Sequence, residues 1–367
     1  MLNRRAILSG FAATLAMQSG FSYGKAQDRV IGLSLPITGN QAEVARDLQL
    51  GYALALQATG SDLQLLVLDD GGDATRTAIN VQALASNPNV LALSGIVGTP
   101  HAQQALPIAT NAGLPVIGIR SGAKSLRDGR AGVFHLRSSF EDELDKIANM
   151  CAGAGLQTVG IIHSDDSFGK GSREHLVSAL KAKGVDVLPP MPVARDGTNL
   201  NAVAAQCAGA VSLKDRAAGV VLLMIAKPMT DTVRALKEVH KIALPIFTMS
   251  FVATRSFSSE AIPYLTGLGL VSAFPIPQTS YSDVSKQFRR DCIKANMPEI
   301  AGSLTAYEGY FYGSVIASLG AQTREQMVQK MQAGIRFSDQ TIKPDASKVA
   351  YHYLEIVRKS ADGKLKS

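Results

Sequence analysis

Short, continuous apolar runs alternate along the chain with longer stretches whose apolar positions recur at helical spacing. RVIGLSLP precedes an amphipathic stretch at about 41–57, LQLLVLDD one at 75–86, and VLALSGIVG one at 101–111, after which LPVIGIR closes the series. Runs of Val, Ile and Leu without polar alternation suit strands buried on both faces, and strand–helix–strand order implies parallel pairing through helical crossovers. The series then restarts. A helical stretch at 140–154 leads to QTVGIIHS, a helix at 171–183, VDVLPP, a helix at 201–212, AGVVLLMI, a helix at 229–239 and LPIFTMS. The expected fold class is α/β, with two doubly wound parallel-sheet lobes. The join at 135–139 is short and carries no flexible linker, so the lobes should face each other across a cleft. After LGLVSAFP the rhythm changes to two long helices, at 282–295 and 303–319. KVAYHYLEIVR then alternates like an edge or hairpin strand.

The N-terminus, MLNRRAILSGFAATLAMQSGFSYGKAQ, differs in kind. Arg4 and Arg5 precede a short apolar stretch and small residues near 24–26, the pattern of an export signal over residues 1–26. NRRAIL also resembles a twin-arginine signal. No later apolar stretch is long enough to span a membrane. Without residues 1–26 the 37 Lys and Arg fall to 34 against 30 acids, a balance of +4 with no basic run, so nothing points to nucleic acid. Cys151, Cys207 and Cys292 lack C-x-x-C spacing, which removes the usual zinc pattern. Cys151 and Cys207 are either a disulfide or two buried thiols.

Chemistry is sparse. HSDDSFGKG, at 163–171, offers adjacent Asp165 and Asp166 and two glycines, but it lacks the upstream glycine and the hydroxyl after Lys that a phosphate loop needs. LDDGGD at 68–73 also follows a strand, where Asp and Gly serve turns and helix caps. The six His residues are scattered and no G-x-S-x-G is present, so no catalytic residue, metal site or cofactor is expected. What HSDDSFGKG has is position, at the carboxyl end of a strand, where open α/β sheets bind ligands. LPITGN, VGTPHAQ and GIRSGAK stand at other strand ends; Thr99, Ser121 and backbone N–H groups near Gly98 and Gly122 suit an anion at helix N-termini.

These segments carry a family resemblance. IGLSLPITGNQAEVARDLQLGYALAL, VGTPHAQQALPIATNAGLPVIG, VFHLRSSFEDE and VGIIHSDDSFGKGSREHLVSALKAKGVDV, in that order and spacing, resemble the periplasmic solute-binding proteins of ABC importers, of the branched-chain amino acid (leucine/isoleucine/valine) type. The resemblance implies the type I periplasmic-binding fold, with three crossovers near Arg137, Pro275 and Ile335. Lobe one is then 27–137 plus 276–335, and lobe two 138–275 plus 336–367. It implies a monomer in the periplasm that closes on a small solute and delivers it to an ABC permease of the inner membrane, with no enzyme activity. A ligand sensor on the same fold, or a secreted α/β enzyme, are the rival readings.

Residue by residue, Thr99 matches the hydroxyl that holds a ligand carboxylate, and Ser121 and Gly122 match the loop that completes that site. Phe168 matches an aromatic cover from lobe two, and Tyr307 one that lines the side-chain pocket. Ser250 falls where an acid pairs with a ligand ammonium, and Ala226, beside Lys227, where a tyrosine forms a wall. Arg120 stands in the carboxylate loop, as a ligand contact or as one half of a salt bridge. Without the acid at Ser250, a small carboxylate with no required α-amino group is favoured; Glu260 or Asp142 are the alternative sources of negative charge.

Overall fold

A computed structural model describes residues 29–213, 217–249, 263–362 and 364–366, leaving aside the side chain of Ala226. The expected export segment, Ser250 and Glu260 lie outside the described residues.

The first lobe begins β1 (Val30–Leu35), α1 (Ala42–Thr59), β2 (Gln64–Asp69), α2 (Ala74–Ser86), β3 (Val90–Ser94), α3 (Thr99–Asn111), β4 (Val116–Ile117) and β5 (Val133–Phe134). Its parallel sheet has the order β2-β1-β3-β4-β5. The order reverses beside β1, so the loops after β1 and β3 diverge and open a crevice at the carboxyl edge. After β5 the chain crosses into α4 (Phe140–Gly153), β6 (Thr158–Ser164), α5 (Ser167–Lys181), β7 (Asp186–Val187), β8 (Met191–Val193), α6 (Leu200–Ser212), β9 (Ala218–Leu223), α7 (Ala226–Arg234), β10 (Ile246–Met249) and β11 (Gly269–Ser272). It returns to the first lobe with α8 (Asp283–Lys294), α9 (Leu304–Ser318) and α10 (Arg324–Ala333), forms a hairpin of β12 (Ile335–Phe337) and β13 (Gln340–Ile342), and crosses again to β14 (Glu355–Lys359) and β15 (Leu365–Lys366). The second sheet runs β15-β14-β11-β10-β9-β6-β7, with β8 also beside β6. Its inner strands are parallel, and β14 and β15 are antiparallel additions at one edge.

The expected alternation is therefore present in both lobes. Three differences have local causes. Helix α5 starts at Ser167 rather than 171, because Asp166 caps it by accepting from Gly169 N–H at 2.9 Å. Strand β4 ends at Ile117 because Gly118 takes φ 76°, where the Tyr312 ring leaves no room for a β-carbon. In KVAYHYLEIVR only 355–358 is strand, the first four residues of β14; its amino-terminal part makes the third crossover, with Val349 bridging His135, whereas Ile335, the expected position of that crossover, lies in the β12–β13 hairpin. All three cysteines are free and buried, and burial pushes each thiol up to about 12.

Helices α1 and α9 approach unusually closely. Gly51 faces the carbonyl of Ala306, and a β-carbon there would also lie 2.7 Å from Tyr310 N; Gly309 faces the carbonyl of Leu48 in the same way. The obstructing atoms are backbone and cannot rotate aside. Gly51→Ala is expected to cost about 1–3 kcal/mol, although alanine is the better helix former, because the helices must separate. Urea unfolding checks this; a variant as stable as the parent would show that the interface yields freely.

Candidate functional site

The loops after β3 and β4 build one wall of the cleft. Val97 bridges Arg120, and Gly98 takes φ 102° to turn the chain into α3. Thr99 and Ser121 are buried with their hydroxyls 2.9 Å apart, at the amino end of α3, where first-turn N–H groups and the helix dipole favour an anion. Gly122 lies under Phe140: a β-carbon there would come within 2.7 Å of Phe140 N, whose N–H donates to the Gly122 carbonyl at 2.9 Å.

The second lobe supplies the opposite wall. Phe168, in the first turn of α5, packs edge-on against Phe140 at 5.2 Å. Gly169 is there because a β-carbon would strike the Ser164 carbonyl, so the start of α5 rests directly on the end of β6. This is what HSDDSFGKG does. Asp166 caps α5, Asp165 pairs with Lys170 at 2.8 Å on the surface, and His163 Nδ1 donates to the Ser164 carbonyl at 2.9 Å. Hydrogen bonds across the cleft among the described residues include Ser167 Oγ to Gln103 Oε1 at 3.0 Å and Arg195 Nη2 to His101 Nε2 at 3.4 Å.

Between the walls lies a narrow cavity of about 30 Å³, lined by Thr99, Arg120, Phe140, Asp166, Phe168 and Arg195 among others. Gln41, Ile225 and Arg195 also line a second space of about 370 Å³, which continues the cleft past Gly71 and Gly72. A larger concavity, about 690 Å³, is an open groove on the outer face between α4 and β14. It is a surface trough without facing walls, whereas the narrow space lies between the lobes and gathers polar groups from both.

Thr99, Arg120 and Phe168 thus line one cavity, and Ser121 is bonded to Thr99. Tyr307 is placed elsewhere, buried in lobe one against Phe274 and Phe288, with its hydroxyl accepting from Ser285 at 3.1 Å. Ala226 opens α7 next to the cavity residue Ile225, and Lys227 pairs with Asp231 at 2.6 Å. Asp142 closes a capping box with Ser139 and lines the outer groove.

Arg120 is half of a buried ion pair. Its Nε donates to Glu308 Oε2 at 2.9 Å and its Nη2 to Thr305 at 2.9 Å. Arg137 Nη1 donates to the other oxygen of Glu308 at 3.1 Å and Nη2 to Glu143 at 2.8 Å, while the Tyr312 hydroxyl donates to Glu308 at 2.6 Å. Burial lowers the pKa of Arg120; in Arg137 burial is outweighed by Glu308 and Glu143, and the value rises. The cluster joins the loop after β4, the first crossover, α4 and α9 beneath the cleft.

Arg195, Asp166 and Gln41 are cavity residues that the sequence reading missed. Arg195 follows β8 at a strand end, the same signal that marked Thr99, but PPMPV hides a strand behind three prolines.

A sequence-family profile described as periplasmic binding protein matches residues 30–349. No curated protein matches the chain. Solved structures do. A substrate-binding periplasmic protein from Ralstonia solanacearum is 22% identical with a TM-score of 0.81, over 92% of this chain and 99% of that one. An ABC transporter substrate-binding protein from Desulfitobacterium hafniense, in complex with Leu, is 19% identical with a TM-score of 0.70, over 92% and 99%. A solute-binding protein of an ABC transporter from R. palustris, in complex with benzoate, is 17% identical with a TM-score of 0.80, over 92% and 94%.

Proposed function

The chain belongs to the periplasmic binding protein family, and from that premise we propose that it captures a small carboxylate or amino-acid-like solute between its lobes and delivers it to an ABC permease, without catalysing a reaction. The observation that carries this is the Thr99–Ser121 hydroxyl pair at the amino end of α3, facing Phe168 across the cleft. Leucine and benzoate, held by two proteins of this fold, share only a carboxylate among their polar groups. Helix N–H groups and the two hydroxyls supply donors for that group, and Phe140 and Phe168 supply an apolar cover. Arg120 lies behind the site with its charge held by Glu308. Gly122 keeps the loop low enough for Phe140 to close over it. The protein is exported by its N-terminal signal and works in the periplasm as a monomer. Lobe one is then 27–137 plus 276–347 and lobe two 138–275 plus 355–367, closing about crossovers near Arg137 and Pro275 and a third at 348–354.

A thermal-shift panel of aliphatic and aromatic carboxylates, dicarboxylates, amino acids and amides tests this. Ligands that bind only the folded state raise the melting temperature. Carboxylates are expected to stabilise the chain and their amides not, and Thr99→Val is expected to reduce the shift. Stabilisation by amides and acids alike would remove the carboxylate from the account.

A further inference from the structure

We propose that Arg195 is the lobe-two residue that binds the negative charge of the ligand, so that the carboxylate itself joins the lobes. This rests on the carboxylate reading above and adds a specificity-determining residue to it.

Among the described residues that line the cavity, three carry charge: Arg120, Asp166 and Arg195. Arg120 is neutralised inside lobe one by Glu308 at 2.9 Å. Asp166 is engaged through Oδ1 as the cap of α5, accepting from Gly169 N–H and from Ser164 Oγ, each at 2.9 Å. Arg195 has no carboxylate within ion-pair distance among the described residues. Its neighbour in sequence, Asp196, is turned into its own loop and accepts from Thr198 N–H at 3.1 Å. The one hydrogen bond that Arg195 makes among the described residues is the long contact to His101 Nε2 across the cleft. His101 is buried, and burial together with the charge of Arg195 lowers its pKa, so it accepts that bond as a neutral ring and leaves the arginine charge uncompensated.

A guanidinium presents parallel N–H donors that match a carboxylate edge. Arg195 is half-buried and borders both the narrow cavity with Thr99 and the wider space beside Gln41. A carboxylate at the amino end of α3 would therefore meet hydroxyls and helix N–H groups from lobe one and a guanidinium from lobe two. It would exchange a 3.4 Å contact with a neutral ring for a charge-assisted pair. Anionic ligands then favour the closed arrangement because they alone touch both walls with charge.

The test measures calorimetric affinity for acetate, pyruvate, glutarate, benzoate and their primary amides, in the full chain and in Arg195→Gln and Arg195→Lys. The parent is expected to prefer the best-bound acid over its amide. Arg195→Gln should weaken that acid by about 10–100-fold, as for loss of a charged hydrogen bond, and leave the amide unchanged. Arg195→Lys should recover part of the preference. Equal melting temperatures without ligand verify that the variants fold. A preference for the acid that survives Arg195→Gln unchanged overturns the assignment, as does an equal loss for acid and amide, which would mean that Arg195 only props the lobes together. If no acid binds the parent, the carboxylate reading of the whole site fails, and this assignment fails with it.

Discussion

Replacing Glu308 with Leu is expected to destabilise the chain by roughly 3–5 kcal/mol, the cost of removing one partner from a buried ion cluster. Glu308 sits between Arg120 and Arg137 and accepts from Tyr312 as well. Without it, two guanidiniums that water cannot reach lose their shared anion. Arg137 keeps Glu143 and Arg120 keeps Thr305, so the damage should concentrate on the like-charge pair of arginines. Urea unfolding of Glu308→Leu measures the loss. Adding Arg120→Met should recover part of it, since an apolar pair of similar volume replaces the ion pair without stranding a charge. A single variant within about 1 kcal/mol of the parent would contradict the cluster's structural role.

Acid should weaken the fold well before its carboxylates titrate, and His135 is a principal reason. Burial, then the nearby Arg127, pushes its pKa down to about 3 from the ordinary 6.5. Its Nε2 donates to the Leu126 carbonyl at 3.1 Å, and its backbone pairs with Lys348 and Ala350 at the first and third crossovers. The folded state therefore refuses a proton that the unfolded state accepts. The contribution is fully present above pH 6.5 and is lost as pH falls from there towards 3. One such proton changes stability by about 1.4 kcal/mol per pH unit. Between pH 6.5 and 5, unfolding midpoints should fall with pH in the parent and fall less steeply in His135→Gln. Comparing slopes removes any constant effect of the substitution. Identical slopes would mean that His135 is protonated in the folded state.

Much of the fold was legible because each lobe repeats one rule: an apolar run too continuous for an exposed strand, then a stretch with helical spacing. Thr99, Ser121 and Phe168 were legible for a related reason, since each follows a strand's carboxyl end. The partners of Arg120 were not. Glu308 is 188 positions away, on α9, a helix buried along most of its length and so without a polar face to orient it. The polar half of lobe two was hidden too. PPMPV reads as a break, yet β8 pairs with β6 there and aims the following Arg195 at the cleft. HSDDSFGKG posed a chemical question with a mechanical answer: its acids cap a helix and pair at the surface, and its glycine lets that helix sit on the strand end.

Hydrogen–deuterium exchange, with and without the carboxylate that gives the largest thermal shift, reads directly whether ligand binds between the lobes. Backbone amides at 97–102, 120–123, 164–169 and 193–196 should gain protection together, because they lie on facing walls of one cavity. Protection confined to one lobe, or centred on the outer groove around 142–150 and 352–356, would contradict the account.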